Sequence, residues 1–527
     1  MCIKGLYFTY PRFIKLLMIK TFKIFILLRY KVVFSRCIGL EKDIFIGIDL
    51  GSSGVRIEVY DIDGNLIAEG REAISKQDVD EWLMAIAKAM PRAISEYRGY
   101  RKHVVIDSTS GTFIAVDAYG RPLLKPVMYY EKAVDIWDKV KGLSSIKDIG
   151  MRGVTIDAAS PLVKILDIRE RKPDIYRKIK WIIPASTWIS YRLCFSEGEI
   201  WRDIYTDYTN ALKFGLDITS SPPQWYKPLF DDLGIDLEIM PKPIGCGEYM
   251  CTARGDYASI LGLEGAEVYH GMTDGNASAL AGGALKIGDT NIYTGSTTVP
   301  KFVTDKLIPH PALYYHIHPI NGYLAGSATG FTGYILSWFT EKVFGINISE
   351  AFNYISIVEP GSEYIFFPPG DRGPFYDTAL NPAIVDIKIY DDTREKIIGR
   401  FLRSIVLGIT LLEYTYIKLF EELFNTKINT VRLTGGGSKS KIWNIIRASI
   451  YEKKVEIFGD RVAIGAIIPI LIKNKIYTNV IEIEKRFLKP LDIIEPDENL
   501  VKIYRAKMIK EKYLEKLKKL QELYRIA

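Results

Sequence analysis

The stretch DIFIGIDLGSSGVRIEVYDIDGNLIAEG, residues 43–70, constrains the fold more than any other part of the chain. Its opening apolar run, IFIGI, reads as a strand covered on both faces. LGSSG supplies a turn, VRIEVYDI alternates as a half-buried strand does, and Asp63-Gly64-Asn65 turns the chain again. A β-meander of this kind needs a helical cover. Residues 78–98 offer one, with Val79, Leu83, Ile86, Ala87, Met90 and Ile94 at helical spacing. HVVIDST and GTFIAVDAYGRPL (103–123) predict a further strand pair turning at Gly120, and helical patterns follow over 161–193, including Trp181–Arg192. The same grammar then recurs. TNIYTGSTTVPKFV (290–303) is strand, turn and strand; 394–424 is a long helical stretch; TVRLTGGGSKSKIWNIIRASI (430–450) is strand, triple-glycine turn and helix. The echo predicts a duplication at the level of the fold. No sequence repeat at fixed period accompanies it, which excludes solenoids and propellers.

A chain of 527 residues is too long for one ordinary core and predicts two α/β domains. With no low-complexity linker between the halves, they are expected to pack across a cleft. The net charge of +7 belongs to the first 42 residues, which hold nine Lys and Arg against the single acid Glu41; the body carries −1. That excludes a nucleic-acid-binding body. The longest unbroken apolar run of the extension, around Ile24 to Leu28, is far shorter than the roughly 20 residues a membrane span needs, and no small-residue cleavage site follows it. An upstream misreading of the start codon is its plainest account, with a basic membrane-surface helix as the alternative. Five scattered cysteines argue against a disulfide framework and for a reducing, cytoplasmic setting; Cys246 and Cys251, five apart with no further Cys or His beside them, read as loop or core residues. The Lys- and Glu-rich tail, 501–527, reads as a solvated surface helix.

Three turns follow apolar strands and lack side-chain bulk, so that backbone N–H groups can cradle a phosphate. The first is Gly51-Ser52-Ser53-Gly54, with Asp49 before it as a candidate for Mg²⁺ or a substrate hydroxyl, and Arg56 after it as a cationic fork. An ordinary hairpin explains it equally well. The second, Gly295-Ser296-Thr297, is a common turn type. The third, Gly435-Gly436-Gly437-Ser438, enters a helix; three glycines in a row cost backbone entropy and point to a close backbone approach. Neither the P-loop pattern nor G-x-G-x-x-G fits any of them. A fourth element, HGMTDGNASA (270–279), places Asp274 in a turn of small residues leading into a helix predicted over 276–285. A carboxylate there could take the proton of an attacking hydroxyl, or simply cap the helix.

Taken together, DLGSSGVR, IDSTSGT, GMTDGNASALAGGA, TGSTT and LTGGGSKSKIW stand in the order and at roughly the spacings found in FGGY carbohydrate kinases, and the chain resembles that family through 43–490. The resemblance implies two ribonuclease-H-like domains of the actin-like ATPase fold facing across a cleft: an N-terminal domain over 43–286, with sugar and base, and a C-terminal domain over 287–490, with ATP. Residues 491–527 would follow as a charged helix. It implies ATP and Mg²⁺, with Asp49 near metal and sugar. Gly51, Ser52, Ser53, Gly54 and Arg56 would lie at the ATP phosphates, Gly295, Ser296 and Thr297 at the second phosphate turn, and Gly435, Gly436, Gly437 and Ser438 at the adenosine. Asp274 matches the family's base. The segment 106–112 carries neither the Gln-Met-His-Gly of xylulokinases nor the Asn-Gln-Arg-Glu of glycerol kinases. Its Thr-Ser form is similar to D-ribulose kinases, which makes Thr109 and Ser110 candidates for hydroxyl recognition; the bland alternative is a solvent-side strand end. Departures from the family pattern are Asp167 where a Trp is usual after Lys164, and Arg403 to Gly408 without the usual Glu. The expected reaction is ATP-dependent phosphorylation of a ketopentose, D-ribulose first, with xylulose, glycerol or another polyol as alternatives. The partners expected are a small sugar and ATP, with room for a homodimer and none for nucleic acid or membrane. A nucleotide-binding actin-like scaffold is the rival from another class, and a membrane-associated protein using residues 1–42 is a third.

Overall fold

The computed structural model of the protein describes residues 42–370, 372–373 and 380–526. The basic extension, apart from Lys42, lies outside the described residues.

Two mixed sheets organise the chain. The first has the order β5-β6-β4-β1-β2-β3, built from β1 (Asp43–Leu50), β2 (Gly54–Asp61), β3 (Leu66–Ala73), β4 (Arg101–Ser108), β5 (Tyr249–Thr252) and β6 (Glu267–Thr273). β1, β2 and β3 form an antiparallel meander, and β4 and then β6 add in parallel on the other side. The second sheet has the order β9-β10-β8-β7-β11-β12-β13, from β7 (Thr290–Thr294), β8 (Thr298–Thr304), β9 (Tyr314–Ile317), β10 (Tyr323–Gly326), β11 (Thr430–Thr434), β12 (Lys454–Ile457) and β13 (Asp492–Ile494). Its core repeats the first: β7, β8 and β10 pair antiparallel in turn, with β9, which precedes β10 in sequence, outside β10, and β11 and β12 add in parallel. The fold-level duplication is therefore a duplication of pairing pattern, carried by strands with little sequence in common.

Helices cover both faces, which is why β1 is apolar without alternation: Ile44, Phe45, Ile46 and Ile48 are all fully buried. Helix α1 (Val79–Ile94), capped by the Asp78 carboxylate on the Asp80 N–H, lays Trp82, Ile86, Ala89 and Met90 on one face of the first sheet. The other face is covered from the far end of the chain. Helix α7 (Val462–Lys473) seats Ala463 on Gly47, where a Cβ would lie 2.8 Å from that methyl, and Gly465 on the backbone of Ala277. Ala277 belongs to α3 (Asp274–Ala281), so α7 clamps α3 against the first sheet, and Phe45, Tyr60, Tyr269, Ile467, Ile470 and Phe487 share one core.

Four local expectations change. The chain does turn at Gly120, but the partners of Phe113–Val116 are the returning residues 122–127 and the strand Trp181–Pro184 rather than the 103–108 strand, so the Trp181–Arg192 stretch splits into that strand and helix α2 (Ala185–Cys194). The 276–285 helix is the shorter α3, beginning at Asp274. The C-terminal tail is not merely solvated: β13 joins the second sheet, and Tyr504, Tyr513 and Leu517 are buried in the second core. Cys194 and Cys251 are joined in a disulfide, against the reading of scattered thiols, because α2 brings their Cα atoms to 5.9 Å across 57 residues of chain; Cys246 is free and buried. A disulfide does not fix the compartment, since cytosolic proteins of hyperthermophiles carry them. Among the described residues no helix is long and apolar enough to cross a membrane.

Candidate active site

The first strand ends where the chemistry begins. Parallel register sets Asp49 on β1 beside Asp107 on β4, and antiparallel register sets Asp49 beside Arg56 on β2. Asp107 is completely enclosed and neither carboxylate oxygen meets an N–H or O–H donor. Burial raises its pKa well above the carboxylate range, with the charges of Asp49 and Asp274 adding to the rise. Asp49 is pushed up to about 6, first by burial and then by Asp274, with Arg56 opposing. One proton shared between the two carboxyls is the arrangement that relieves both.

Beyond Asp49 the chain makes its first glycine turn, closed by Gly51 N–H on the Gly54 carbonyl at 3.0 Å. Ser52 and Ser53 stand exposed. A cavity of about 550 Å³ opens beside the turn, lined by Asp49, Gly51, Ser53, Gly54, Arg56 and Glu72 among others. Arg56 Nη1 donates to the Asp460 carbonyl at 2.6 Å, so this guanidinium bridges the two halves, while its Nε has no partner.

Asp274 is not the helix cap that local sequence allows. Thr273 holds the N-cap position of α3, and Asp274 is the first helical residue. Its carboxylate accepts from the Gly275 N–H at 2.6 Å and also receives the Ser110 N–H. Burial raises its pKa; those two N–H groups, Lys301 and Lys213 work against the rise. Thr109 Oγ1 pairs with Thr112 Oγ1 at 2.8 Å, whereas the enclosed Ser110 hydroxyl has no partner. The two segments singled out for sugar and base therefore meet through Ser110 and Asp274.

Four further polar residues surround this point and were not singled out from sequence. Asp107 lies inside the IDSTSGT segment, and its only signal was a second Asp at the end of an apolar strand. Lys213, Lys301 and His316 gave none beyond a polar residue in an apolar context. Burial lowers the pKa of Lys301 to about 8 and that of Lys213 as well, with Asp274 holding both up. His316 is kept neutral by burial and by both lysines; its Nδ1 lies 3.0 Å from Asn276 Nδ2, in the first turn of α3.

The second and third turns abut each other. The Gly295 N–H closes on the Thr297 carbonyl at 2.9 Å, and Ser296 is exposed. Gly435 has φ +84°, and a Cβ there would lie 2.7 Å from the Thr294 carbonyl; one on Gly437 would lie 2.8 Å from Thr294 Cγ2. The close approach that requires these two glycines is to the end of β7. Only Gly436 faces open space. Ser438 turns inward, its hydroxyl on the Gly435 carbonyl. Beneath both turns lies a fully buried ion pair between Glu413 of α5 (Arg394–Leu423) and Arg447 of α6 (Lys441–Tyr451). Arg447 also donates to the Gly437 carbonyl at 3.0 Å and to Thr294 Oγ1 at 2.8 Å.

Among the described residues no cluster of three or more His, Cys, Asp or Glu is arranged to hold a metal unaided. The donor set that is present, the Asp49 carboxyl with Asp107 behind it, has the hard oxygen chemistry of a magnesium–nucleotide site, in which phosphates and water complete the shell.

Residues 44–281 match the N-terminal domain, and residues 291–470 the C-terminal domain, of the FGGY family of carbohydrate kinases. A xylulose kinase of Staphylococcus epidermidis is 24% identical over 438 residues, covering 79% of this chain and 85% of that protein. An autoinducer-2 kinase of Escherichia coli is 22% identical over 517 residues, covering 88% and 92%. In three dimensions the chain superposes on a xylulose kinase from Rhodospirillum rubrum with a TM-score of 0.78 at 16% identity, covering 92% of this chain and all of that one.

Proposed function

The chain belongs to the FGGY family of carbohydrate kinases, and on that premise we propose that it transfers the γ-phosphoryl group of ATP to a hydroxyl of a ketopentose, D-ribulose before others, with Asp274 as the general base. That it is a sugar kinase follows from the family; the sugar, the residue roles and the metal are the proposal.

The observation that carries it is the setting of Asp274. A carboxylate at the first position of α3, held by the N–H groups of Ser110 and Gly275 and flanked by two lysines, supports the reading of a proton acceptor over that of a helix cap. In the reaction the sugar hydroxyl oxygen bonds to the γ-phosphorus, its proton passes to Asp274, and the bond from phosphorus to the bridging oxygen breaks to leave ADP. The amides at the exposed turn positions Ser52, Ser53 and Ser296 would meet phosphate oxygens, and Arg56 would add charge from between the halves. Magnesium, bound with the nucleotide, supplies charge neutralisation there; Asp49 would hold it, with Asp107 behind. The unpartnered Ser110 hydroxyl would take a sugar hydroxyl. D-Ribulose is favoured by the Asp-Ser-Thr-Ser form of 107–110. D-Xylulose is the second reading, favoured by the xylulose kinases among the relatives.

The test is a panel. Purified protein with ATP and Mg²⁺ is offered D-ribulose, D-xylulose, L-ribulose, gluconate, glycerol and erythritol, and ADP release is followed. Asp274→Asn should fold normally and lose sugar-stimulated turnover by about 10²–10⁴-fold; an active variant refutes the base assignment. Stimulation by another acceptor and not by D-ribulose refutes the sugar alone.

A further inference from the structure

Lys301 occupies a place that stability does not explain. It lies in the middle of β8, on the side of the strand it shares with Val299 and Val303. Val303 packs there against Ala279, Ala284 and Leu324, so this face is otherwise apolar. The Lys301 side chain is 7% exposed, and its Nζ donates to the carbonyl of Gly275, in the first turn of α3. A cation at the start of a helix opposes the helix dipole, and a buried ammonium costs more than the aliphatic side chain its neighbours would predict. What compensates it is the carboxylate one residue before its carbonyl partner. Lys301 belongs to the C-terminal domain and Asp274 to the N-terminal one.

We infer that Lys301 is a positioning residue for Asp274: delivered from the opposite domain, its ammonium pins the first turn of α3 and balances the charge of the base, so that the base is assembled from both halves of the chain. The inference rests on the reading of Asp274 as base. The other groups facing Asp274 are the cation Lys213, the acids Asp49 and Asp107 from β1 and β4, Tyr293 from β7, and the Ser110 and Gly275 N–H groups, with the neutral His316 of β9 beside both lysines. With Lys301 removed, Lys213 would be the lysine left against Asp274, while Arg56 lies against Asp49.

The experiment compares Lys301→Met, which keeps length and suits an apolar face, with Lys301→Arg, which keeps the charge. Both are assayed with ATP and the best acceptor of the panel, with kcat, KM for each substrate, the pH profile and the melting temperature recorded. Lys301→Met should hold its melting temperature and the KM for ATP, lose about 100-fold in kcat, and move the acid limb of kcat/KM to higher pH, because the unbalanced carboxylate keeps its proton longer. Lys301→Arg should keep the acid limb where it is. A Lys301→Met enzyme with kcat within threefold of the parent overturns the inference, as does one that loses activity with an unmoved acid limb. If Lys301→Met does not fold, Lys301→Gln carries the same comparison. Should Asp274→Asn itself remain active, the base reading has failed and this inference falls with it, whereas an inactive Asp274→Asn beside an unaffected Lys301→Met overturns the inference alone.

Discussion

Removing the charge of Glu413 tests how the two glycine turns of the nucleotide side are held. Its carboxylate and the Arg447 guanidinium are both fully enclosed, joined at 2.7 and 2.9 Å, with further bonds from Thr294 Oγ1 at 2.9 Å and from the Tyr451 hydroxyl. Arg447 in turn holds the Gly437 carbonyl, and its guanidinium lies 4.2 Å from the centre of the Trp443 ring. Glu413→Gln leaves that guanidinium buried without a counter-ion. Breaking such a pair costs about 3–5 kcal/mol, and for a unit of about 200 residues each kcal/mol moves the melting temperature by about 2–4 °C. Calorimetry should therefore show the melting temperature falling by roughly 6–20 °C. Because Thr294 precedes the second turn and Gly437 lies in the third, the KM for ATP should rise while that for the sugar does not. The double variant Glu413→Leu/Arg447→Met separates the two effects. An apolar replacement of a buried pair is close to neutral for stability, so the melting temperature should return while the ATP KM stays high. A melting temperature within 2 °C of the parent in Glu413→Gln, or an ATP KM restored in the double variant, would refute the reasoning.

Two further outcomes follow from burial. His270, enclosed beside the Tyr191 and Tyr205 rings, has its pKa lowered to about 3 by burial. It stays neutral in the folded chain, so its contribution is present above about pH 6.5 and is lost as pH falls toward 3, amounting to about 2–3 kcal/mol by pH 4.5. His270→Phe should accordingly lose that much less stability between pH 7 and 4.5 in denaturant titrations, and an unchanged difference would count against it. Reduction of Cys194–Cys251, or Cys194→Ser, releases a loop of 57 residues and should cost about 4 kcal/mol, read as a lower denaturation midpoint; a midpoint indifferent to reductant would deny the bond a stabilising role.

The sequence disclosed its turns and its local strand pairs better than its distant contacts. The first meander and the hairpin that opens the second half are legible because each is a local pattern of apolar run, glycine turn and strand; β10, which completes the second, is not. Nor is the Trp181–Pro184 partner of Phe113–Val116, because it lies some 70 residues downstream and no local signal names it. The same limit governs the site. Asp49 and Asp274 could be picked out by the turns beside them, while Lys301 and His316 reach Asp274 and Asn276 only through tertiary packing. Gly435 and Gly437 were correctly read as places of close approach, but the approaching group is the Thr294 backbone and methyl, which a sequence cannot distinguish from a ligand.

Helix α7 has a consequence for how the molecule comes into being. The first sheet is complete in hydrogen bonds once Thr273 has been synthesised, yet one of its faces stays bare until residues 462–473 emerge nearly 190 positions later. Phe45, Tyr60, Val105 and Tyr269 must wait through the synthesis of almost the whole second domain for Ile464, Ile467 and Ile470 to cover them. The early half of the chain is born with an exposed apolar face, and the late half carries the piece that closes it. A gene cut between the two family domains would divide that core and yield two incomplete proteins.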